Sequence, residues 1–554
     1  MNPRVCDVSQ VDWQDEYDVV VIGAGAGGFC AATGAAIGGS SVVLLEKASQ
    51  PGGTFAKAPA GYWIPDNAGM RADGVREDRD ATLRFLARCA RPASYDPSSP
   101  SLGLESWEFD LMGAYFDHAA QVVDELETAG VLTAGYLPGS PDYQTRVPEN
   151  TIRSGRTMVM LSADGRENIL GRGQTLRFVE SLERFGGALR CGESVESVVT
   201  EGRGVVGVVS QGPSGRRAIH ARRAVIFCTG GFTHDPGLRR AFLPSSILGG
   251  TAAPGCTGDF LHIATALGLP LHCMPYPWLA PMPLEPVLAG DPSTSNIFVS
   301  PGDSMLYLNR YGNRVLNEKG PYNEQAFVFG AWDPARLEYP NLLQFMLFDQ
   351  RVKELWAPPP DTPPDHVARH FAQETMGNYA YDGEHLITAS TLDGLASALA
   401  SRLSKLSSVT GGSVLASDFV AKARASISRF NGFARSGTDR DFQRGETPIE
   451  QAFFGEPRPG NDLPNPLLYP LRDEGPYYAV ILAAGTLDTK GGPRADSWGR
   501  VIGADDSPVP GLYGAGNCVA SMFSQGYPGG GATIGPAMVF GYRAGQHAAG
   551  MQTD

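Results

Sequence analysis

The residues that could do chemistry fall in two stretches. One is Gly526-Tyr527-Pro528-Gly529-Gly530-Gly531-Ala532-Thr533-Ile534-Gly535-Pro536-Ala537-Met538. A tyrosine hydroxyl stands directly before a glycine-rich turn, and the turn runs into an apolar, helix-like stretch. Such a turn leaves backbone N–H groups at a positive helix start, where they can hold a carbonyl oxygen or an anionic ring edge. One phenol donor plus a free backbone N–H is the set needed to stabilise an enolate oxygen as it gains charge. The other stretch is Tyr17-Asp18-Val19-Val20-Val21-Ile22-Gly23-Ala24-Gly25-Ala26-Gly27-Gly28, an apolar strand running into G-x-G-x-x-G.

The elements around the second stretch fix its meaning. Small residues continue from Ala31 to Ala36, and a second apolar strand, Ser41 to Leu45, ends in Glu46. In a strand–helix–strand unit of this kind Gly23 makes the tight turn and Gly25 lets a pyrophosphate approach the backbone. Ala26 and Gly27 open the helix, Gly28 lets it pack closely on the strand, and Glu46 is placed to accept from a ribose hydroxyl. The chain continues through Lys47 to Pro51-Gly52-Gly53-Thr54, a second glycine pair that resembles FAD proteins more than NAD dehydrogenases. Two later strand-to-turn units agree. One runs from Arg223 to Phe232 and contains Thr229, Gly230 and Gly231; the other runs from Gly511 through Gly516 to Asn517. Both look like the further FAD contacts of glutathione-reductase-like flavoproteins. The helix start at Thr533 and Ile534 is expected to face the flavin pyrimidine edge. No second complete strand–GxGxxG unit occurs, so electrons are expected to leave to a quinone, a carrier protein or another external acceptor. Residues 47–66 contain no histidine to which a flavin could be linked, so FAD is expected to be noncovalent.

Composition narrows the class. A chain of 554 residues with a net charge of −14 and no run of Lys and Arg does not suit nucleic acid. The most basic short patch, Arg216-Arg217 with Arg222-Arg223, reads as the solvated edge of a small β region over 205–225. Met1 to Glu16 is polar, and no apolar run reaches the roughly 18–20 residues of a spanning helix. The reading is cytoplasmic, with peripheral membrane contact left open. The eight cysteines are scattered without CxxC, as reduced thiols would be. His366 and His370 are spaced i, i+4, but the glutamate of HExxH is missing and no third ligand is evident, so no metal is expected.

The FAD motifs bracket the sequence and the middle differs in texture. The expected fold is α/β: a Rossmann-like FAD-binding domain of the glutathione-reductase type, over 15–282 and 486–554, with an inserted α+β substrate domain over 283–485. A proline-rich loop is expected at 357–364, and amphipathic helices over 391–406 and 416–433.

Across about 17–548 the chain resembles the 3-ketosteroid Δ1-dehydrogenases of the fumarate-reductase/succinate-dehydrogenase flavoprotein superfamily. The likeness is carried by Gly52-Gly53-Thr54 with Gly61-Tyr62-Trp63-Ile64-Pro65, by Asn313 to Glu318 and by Phe348-Asp349-Gln350-Arg351. It continues through Arg429 to Ala434, Asp439 to Phe442 and Thr489-Lys490-Gly491-Gly492, and is strongest from Tyr527 to Met538. The resemblance implies desaturation next to a ketone: a base removes the alpha proton and flavin N5 accepts the beta hydride. It implies that Tyr527 and the Gly531 N–H hold the carbonyl oxygen, and that Tyr322, in Asn317-Glu318-Lys319-Gly320-Pro321-Tyr322, is the base. A second tyrosine, Tyr143 or its rival Tyr136, would assist it. Two departures stand out. Ser524-Gln525-Gly526 replaces a bulkier pair before Tyr527, and the stretch from Tyr136 to Thr157 is longer than usual. Both lie where substrate should touch the protein, and related enzymes desaturate simple cyclohexanones or oxocyclohexane carboxylates. A Δ4-(5α)-ketosteroid dehydrogenase, a fumarate-reductase-like enoate reductase and a non-catalytic FAD-binding protein are the competing readings.

Overall fold

The computed structural model describes residues 4–290, 302–356 and 385–551. The expected loop at 357–364 and the His366/His370 pair lie outside the described residues. The chain divides into two compact units. Unit 1 comprises Met1–Leu243, Ala252–Trp278 and Asp488–Asp554, and unit 2 comprises Pro244–Thr251 and Leu279–Leu487. The segment Pro244–Thr251, expected within the first FAD-binding part, groups with unit 2 because its strand Ile247–Gly250 pairs in parallel with Tyr477–Thr489.

Unit 1 is built on β1 (Asp15–Ile22), whose Val19, Val20 and Val21 are completely buried. A continuous apolar run buried on both faces is the mark of a central parallel strand. β1 lies between β2 (Val42–Glu46) and β3 (Gly215–Phe227), parallel to both. β4 (Pro508–Gly514) runs parallel along the far side of β3, and Ala188–Cys191 along the far side of β2. The first half of β3 pairs antiparallel with Gly204–Gly212, and the register slips between Ala221 and Ala224. The basic patch lies on this strand, and it is ion-paired. Arg222 reaches Glu16 (2.5 Å) and Asp18 (2.9 Å), and Arg217 reaches Asp15 (3.1 Å). Such exposed pairs neutralise charge more than they stabilise.

Two helices close this layer: α1 (Ala26–Ile37) and α2 (Ile534–Ala548). Every α1 residue from Ala26 to Ala36 is buried, which small side chains allow. The two helix backbones touch. A Cβ on Gly541 would stand 2.3 Å from the Gly27 carbonyl oxygen, and one on Gly545 would stand 2.0 Å from that of Ala31. A small antiparallel sheet, Gly61–Trp63, Thr157–Met160 and Ala134–Tyr136, carries Trp63 and Thr157.

Unit 2 is α+β. Its sheet runs Ile247–Gly250, Tyr477–Thr489, Leu343–Asp349, Met305–Leu308, with Pro277–Pro283 and Ile387–Ala389 also paired to the long strand. Alternation assigns the faces. Leu306, Leu308, Phe345 and Leu347 pack with Leu399, Phe419 and Phe430 of helices Leu392–Lys405 and Phe419–Ser436. Met305, Tyr307, Met346 and Phe348 pack on the other side with Ala326 and Phe329. Among the described residues no helix is long and apolar enough to cross a membrane, and no group of three or more His, Cys, Asp or Glu could hold a metal ion.

Candidate active site

The turn after β1 shows why its residues are glycines. Gly23 has φ +96°, and a Cβ there would lie 2.5 Å from the Cys228 carbonyl oxygen. A Cβ on Gly28 would lie 1.8 Å from the Gly23 oxygen. Gly25 differs: it precedes α1, and a Cβ there would meet nothing within 4 Å. Gly53, after the turn at Gly52 (φ +113°), is equally open. Open backbone at a helix start, beside the unbonded first amides of α1 (Ala26, Gly27, Gly28), is a cradle that fits the pyrophosphate of FAD. Glu46 closes the turn. Its carboxylate accepts the N–H of Ala24 (2.9 Å) and of Ala48 (2.8 Å), one bond per oxygen, which leaves acceptor capacity on each. Lys47 is engaged within the protein, donating to Asp259 (2.7 Å) and to the Thr257 hydroxyl (2.9 Å). The Thr54 hydroxyl accepts the N–H of Ala253 (2.9 Å).

Sequence reasoning assigned no role to Asp488, yet it organises the next layer. Buried to 2 % exposure, it accepts the Gly231 N–H (2.8 Å), the Thr233 hydroxyl (3.0 Å) and the Asn517 amide (3.2 Å). Burial raises its pKa against the pull of these donors. A Cβ on Gly231 would collide with this carboxylate and with the Thr489 hydroxyl, at 2.4 and 2.1 Å. The turns after β3 (Thr229, Gly230, Gly231) and β4 (Gly516, Asn517) are thereby tied to one side chain. Asn517 in turn accepts the indole N–H of Trp278 (3.0 Å).

Trp278 leads to the tyrosine turn. Its ring packs edge-on to Tyr527, centroids 4.8 Å apart, and Tyr143 packs on Tyr527 at 5.3 Å. Both tyrosines are buried, and the Tyr143 N–H donates to the Pro528 carbonyl (2.9 Å). A Cβ on Gly530 would stand 3.5 Å from the Tyr143 hydroxyl. Tyr136 is placed differently: its ring lies against Gly69 and its hydroxyl donates to the Gly155 carbonyl (3.2 Å). Gly531 has φ +87° and sits against the backbone of Tyr62, 2.3 Å from an added Cβ to the Tyr62 Cα. Its carbonyl accepts the N–H groups of Trp63, Ile534 and Gly535, while its own N–H donates to no group among the described residues. Thr533 and Ile534 follow at the start of α2.

A buried ion cluster stands behind Tyr143. Arg156, 1 % exposed, bonds Glu77 (2.8 Å) and Asp142, and Asp142 also accepts the Trp63 indole N–H (2.7 Å). Burial raises the Asp142 pKa, with Arg156 opposing.

Tyr322 belongs to unit 2. It is buried and opens the helix Tyr322–Phe327, directly after Pro321. The preceding loop is pinned by charge. Glu318, wholly buried, receives two hydrogen bonds from Arg314 (2.7 Å each), the Tyr307 N–H (3.2 Å) and Arg444 (3.4 Å). Arg314 also pairs with Asp439 (2.7 Å) and, against the burial penalty, holds its carboxyl below the usual carboxylate range. Arg444 donates to the carbonyls of Met305 (2.7 Å) and Asp303 (3.2 Å). Burial, reinforced by Arg444, pushes the Lys319 ammonium well below the usual lysine range.

Comparison with known proteins agrees with these features. Residues 18–534 match the family described as FAD binding domain. The chain is 31 % identical to 4-oxocyclohexanecarboxylate 2-dehydrogenase of Sinomonas cyclohexanicum, covering 96 % of this chain and 93 % of that one. It is 30 % identical to 3-oxosteroid 1-dehydrogenase of Mycobacterium tuberculosis, covering 96 % and 98 %. Its structure is similar to that of 3-ketosteroid Δ1-dehydrogenase from Sterolibacterium denitrificans, at 26 % identity and a TM-score of 0.78, covering 97 % of this chain and all of that one. A dinucleotide cradle, a tyrosine–glycine turn and these matches over nearly the whole length make one statement: the chain belongs to the FAD binding domain family and is an FAD-dependent dehydrogenase of the 3-ketosteroid Δ1-dehydrogenase-like group.

Proposed function

We propose that the enzyme introduces a carbon–carbon double bond beside the carbonyl of a cyclic ketone, with a 3-oxosteroid as substrate. The observation that carries this reading is Tyr527, packed between Tyr143 and Trp278 and followed by a turn whose Gly531 amide has no acceptor among the described residues. The obstacle in such a reaction is the weak acidity of the alpha C–H, which is overcome by stabilising charge on the carbonyl oxygen. The Tyr527 hydroxyl and the Gly531 N–H donate to that oxygen, and one such donor is worth about 10²–10³ in rate. Tyr322 takes the alpha proton. A phenol ordinarily titrates near pH ~10, so the base needs an assisting hydroxyl, which we assign to Tyr143 rather than Tyr136. Gly25, Ala26, Gly27 and Gly28 hold the FAD pyrophosphate, Glu46 the ribose, and Gly516, Asn517, Thr533 and Ile534 the ring side. Bound there without a covalent link, FAD supplies the acceptor for the beta hydride. An external acceptor, a quinone or a carrier protein, then takes the electrons. None of the eight cysteines forms a disulfide among the described residues, which suits a cytosolic setting.

A second reading keeps the chemistry and changes the substrate to a small oxocyclohexane. It is supported by Ser524-Gln525-Gly526 before Tyr527 and by the likeness to the Sinomonas enzyme. The test is anaerobic mixing of the yellow protein with androstenedione and, separately, with 4-oxocyclohexanecarboxylate, following flavin bleaching and product mass. Bleaching by the steroid with loss of two hydrogens supports the first reading, and bleaching by the small ketone alone supports the second. No bleaching by either overturns both.

A further inference from the structure

We propose that Lys490 is the positioning residue for Tyr527, an interior ammonium that aims the phenol and strengthens it as a donor. The inference rests on the proposed role of Tyr527 as the hydrogen-bond donor to the ketone oxygen.

Lys490 is 0 % exposed. Its Nζ donates to the carbonyls of Ser524 (2.8 Å) and Gly526 (2.7 Å), the latter being the residue directly before Tyr527. The same Nζ lies 3.9 Å from the centroid of the Trp278 ring, and Trp278 is the ring packed edge-on against Tyr527. One cation therefore grips the phenol from two directions, through its own backbone and through its aromatic neighbour. The backbone it grips is not at rest in a common conformation. Ser524 has φ +41°, a region that side chains other than glycine rarely occupy. The Ser524 hydroxyl is tied to buried Glu108 (2.7 Å), and a Cβ on Gly526 would stand 2.6 Å from the Cys89 carbonyl oxygen. These two carbonyls, two residues apart in sequence, converge on the single strong donor of Lys490.

An apolar side chain would fill this interior position without desolvating a charge, whereas a buried ammonium is tolerated only where strong acceptors and a π face surround it. Here they do, and the charge has a use. A cation held at the backbone directly before a phenol favours negative charge developing there, so it makes the neutral phenol a better hydrogen-bond donor.

The test is a double-mutant cycle on FAD-loaded protein, read as the anaerobic rate of flavin reduction by a ketone substrate. Lys490→Met should slow reduction roughly tenfold to a hundredfold in the wild-type background, as misaiming of a reacting group does. In a Tyr527→Phe background the same change should have no further effect, and Lys490→Arg should recover most of the rate. Equal slowing by Lys490→Met in both backgrounds, at full FAD occupancy, overturns the inference and leaves the role of Tyr527 standing. A wild-type rate in Tyr527→Phe alone overturns that role and this inference with it. If Lys490→Met does not accumulate as yellow protein, Lys490→Gln replaces it in the cycle under the same two criteria.

Discussion

Tyr527 in unit 1 is held by a glycine turn, backbone amides and one buried ammonium, whereas Tyr322 in unit 2 follows a loop fastened by a lattice of buried ions. Around Tyr527 the partners are carbonyls, an indole and a second phenol. Behind Tyr322 they are Glu318, Arg314, Asp439 and Arg444, all buried. The difference follows from the tasks proposed for the two tyrosines. A donor to an oxyanion is helped by neutral and cationic partners, and the Asp142 carboxylate behind Tyr143 is offset by Arg156. A base needs a rigid platform, and full ion pairs give rigidity at the cost of desolvation.

The contrast can be broken at several points, and the largest effect concerns the chemistry. Tyr322→Phe should slow flavin reduction by about 10²–10⁴-fold in stopped flow, with FAD content and melting temperature unchanged. A rate near wild type would remove Tyr322 from the mechanism. The next effect separates the scaffolds. Glu318→Ala leaves Arg314 and Arg444 partly uncompensated and should cost about 3–5 kcal/mol in denaturant unfolding. Asp488→Ala in unit 1 strips mostly neutral donors and should cost only about 1–3 kcal/mol, with FAD lost more readily on dilution. Equal costs would mean that the ionic and neutral scaffolds are not distinct in kind. The smallest effect belongs to the surface. Hydrogen bonds from Arg222 hold the Asp18 carboxyl well below the usual range against partial burial. A depressed carboxylate stabilises above the unfolded pKa of about 3.9, and the contribution fades as pH falls through the folded value. Asp18→Asn should therefore cost about 1 kcal/mol at neutral pH, with the gap from wild type closing below pH ~4.

What could be read beforehand depended on distance along the chain. The strand–GxGxxG–helix unit lies within a few dozen residues, so composition and spacing reveal it, and the family match over residues 18–534 agrees with the resemblance drawn from the motifs. Tyr527 stood out because its turn is contiguous. Asp488 did not, because its partner Gly231 is 257 residues away and nothing local distinguishes a buried hub from any aspartate at a strand end. Thr489-Lys490-Gly491-Gly492 was visible as a motif, yet the ammonium's acceptors lie 34 and 36 residues further on. Tyr143 and Tyr136 could not be separated by spacing. Their difference is one of packing: one ring lies on Tyr527, and the other hydroxyl is bonded to a carbonyl of its own loop.

The seam between α1 and α2 carries a consequence for how the protein is made. Gly27 and Gly541 touch backbone to backbone, yet more than five hundred residues of translation separate them. At ~5–20 residues per second a ribosome needs ~25–100 s to deliver the second helix after the first. During that interval the face of α1 that carries Gly27 and Ala31 lacks the helix it packs on. Yellow colour should thus be acquired after synthesis, late and all at once, instead of accumulating as the early strands emerge.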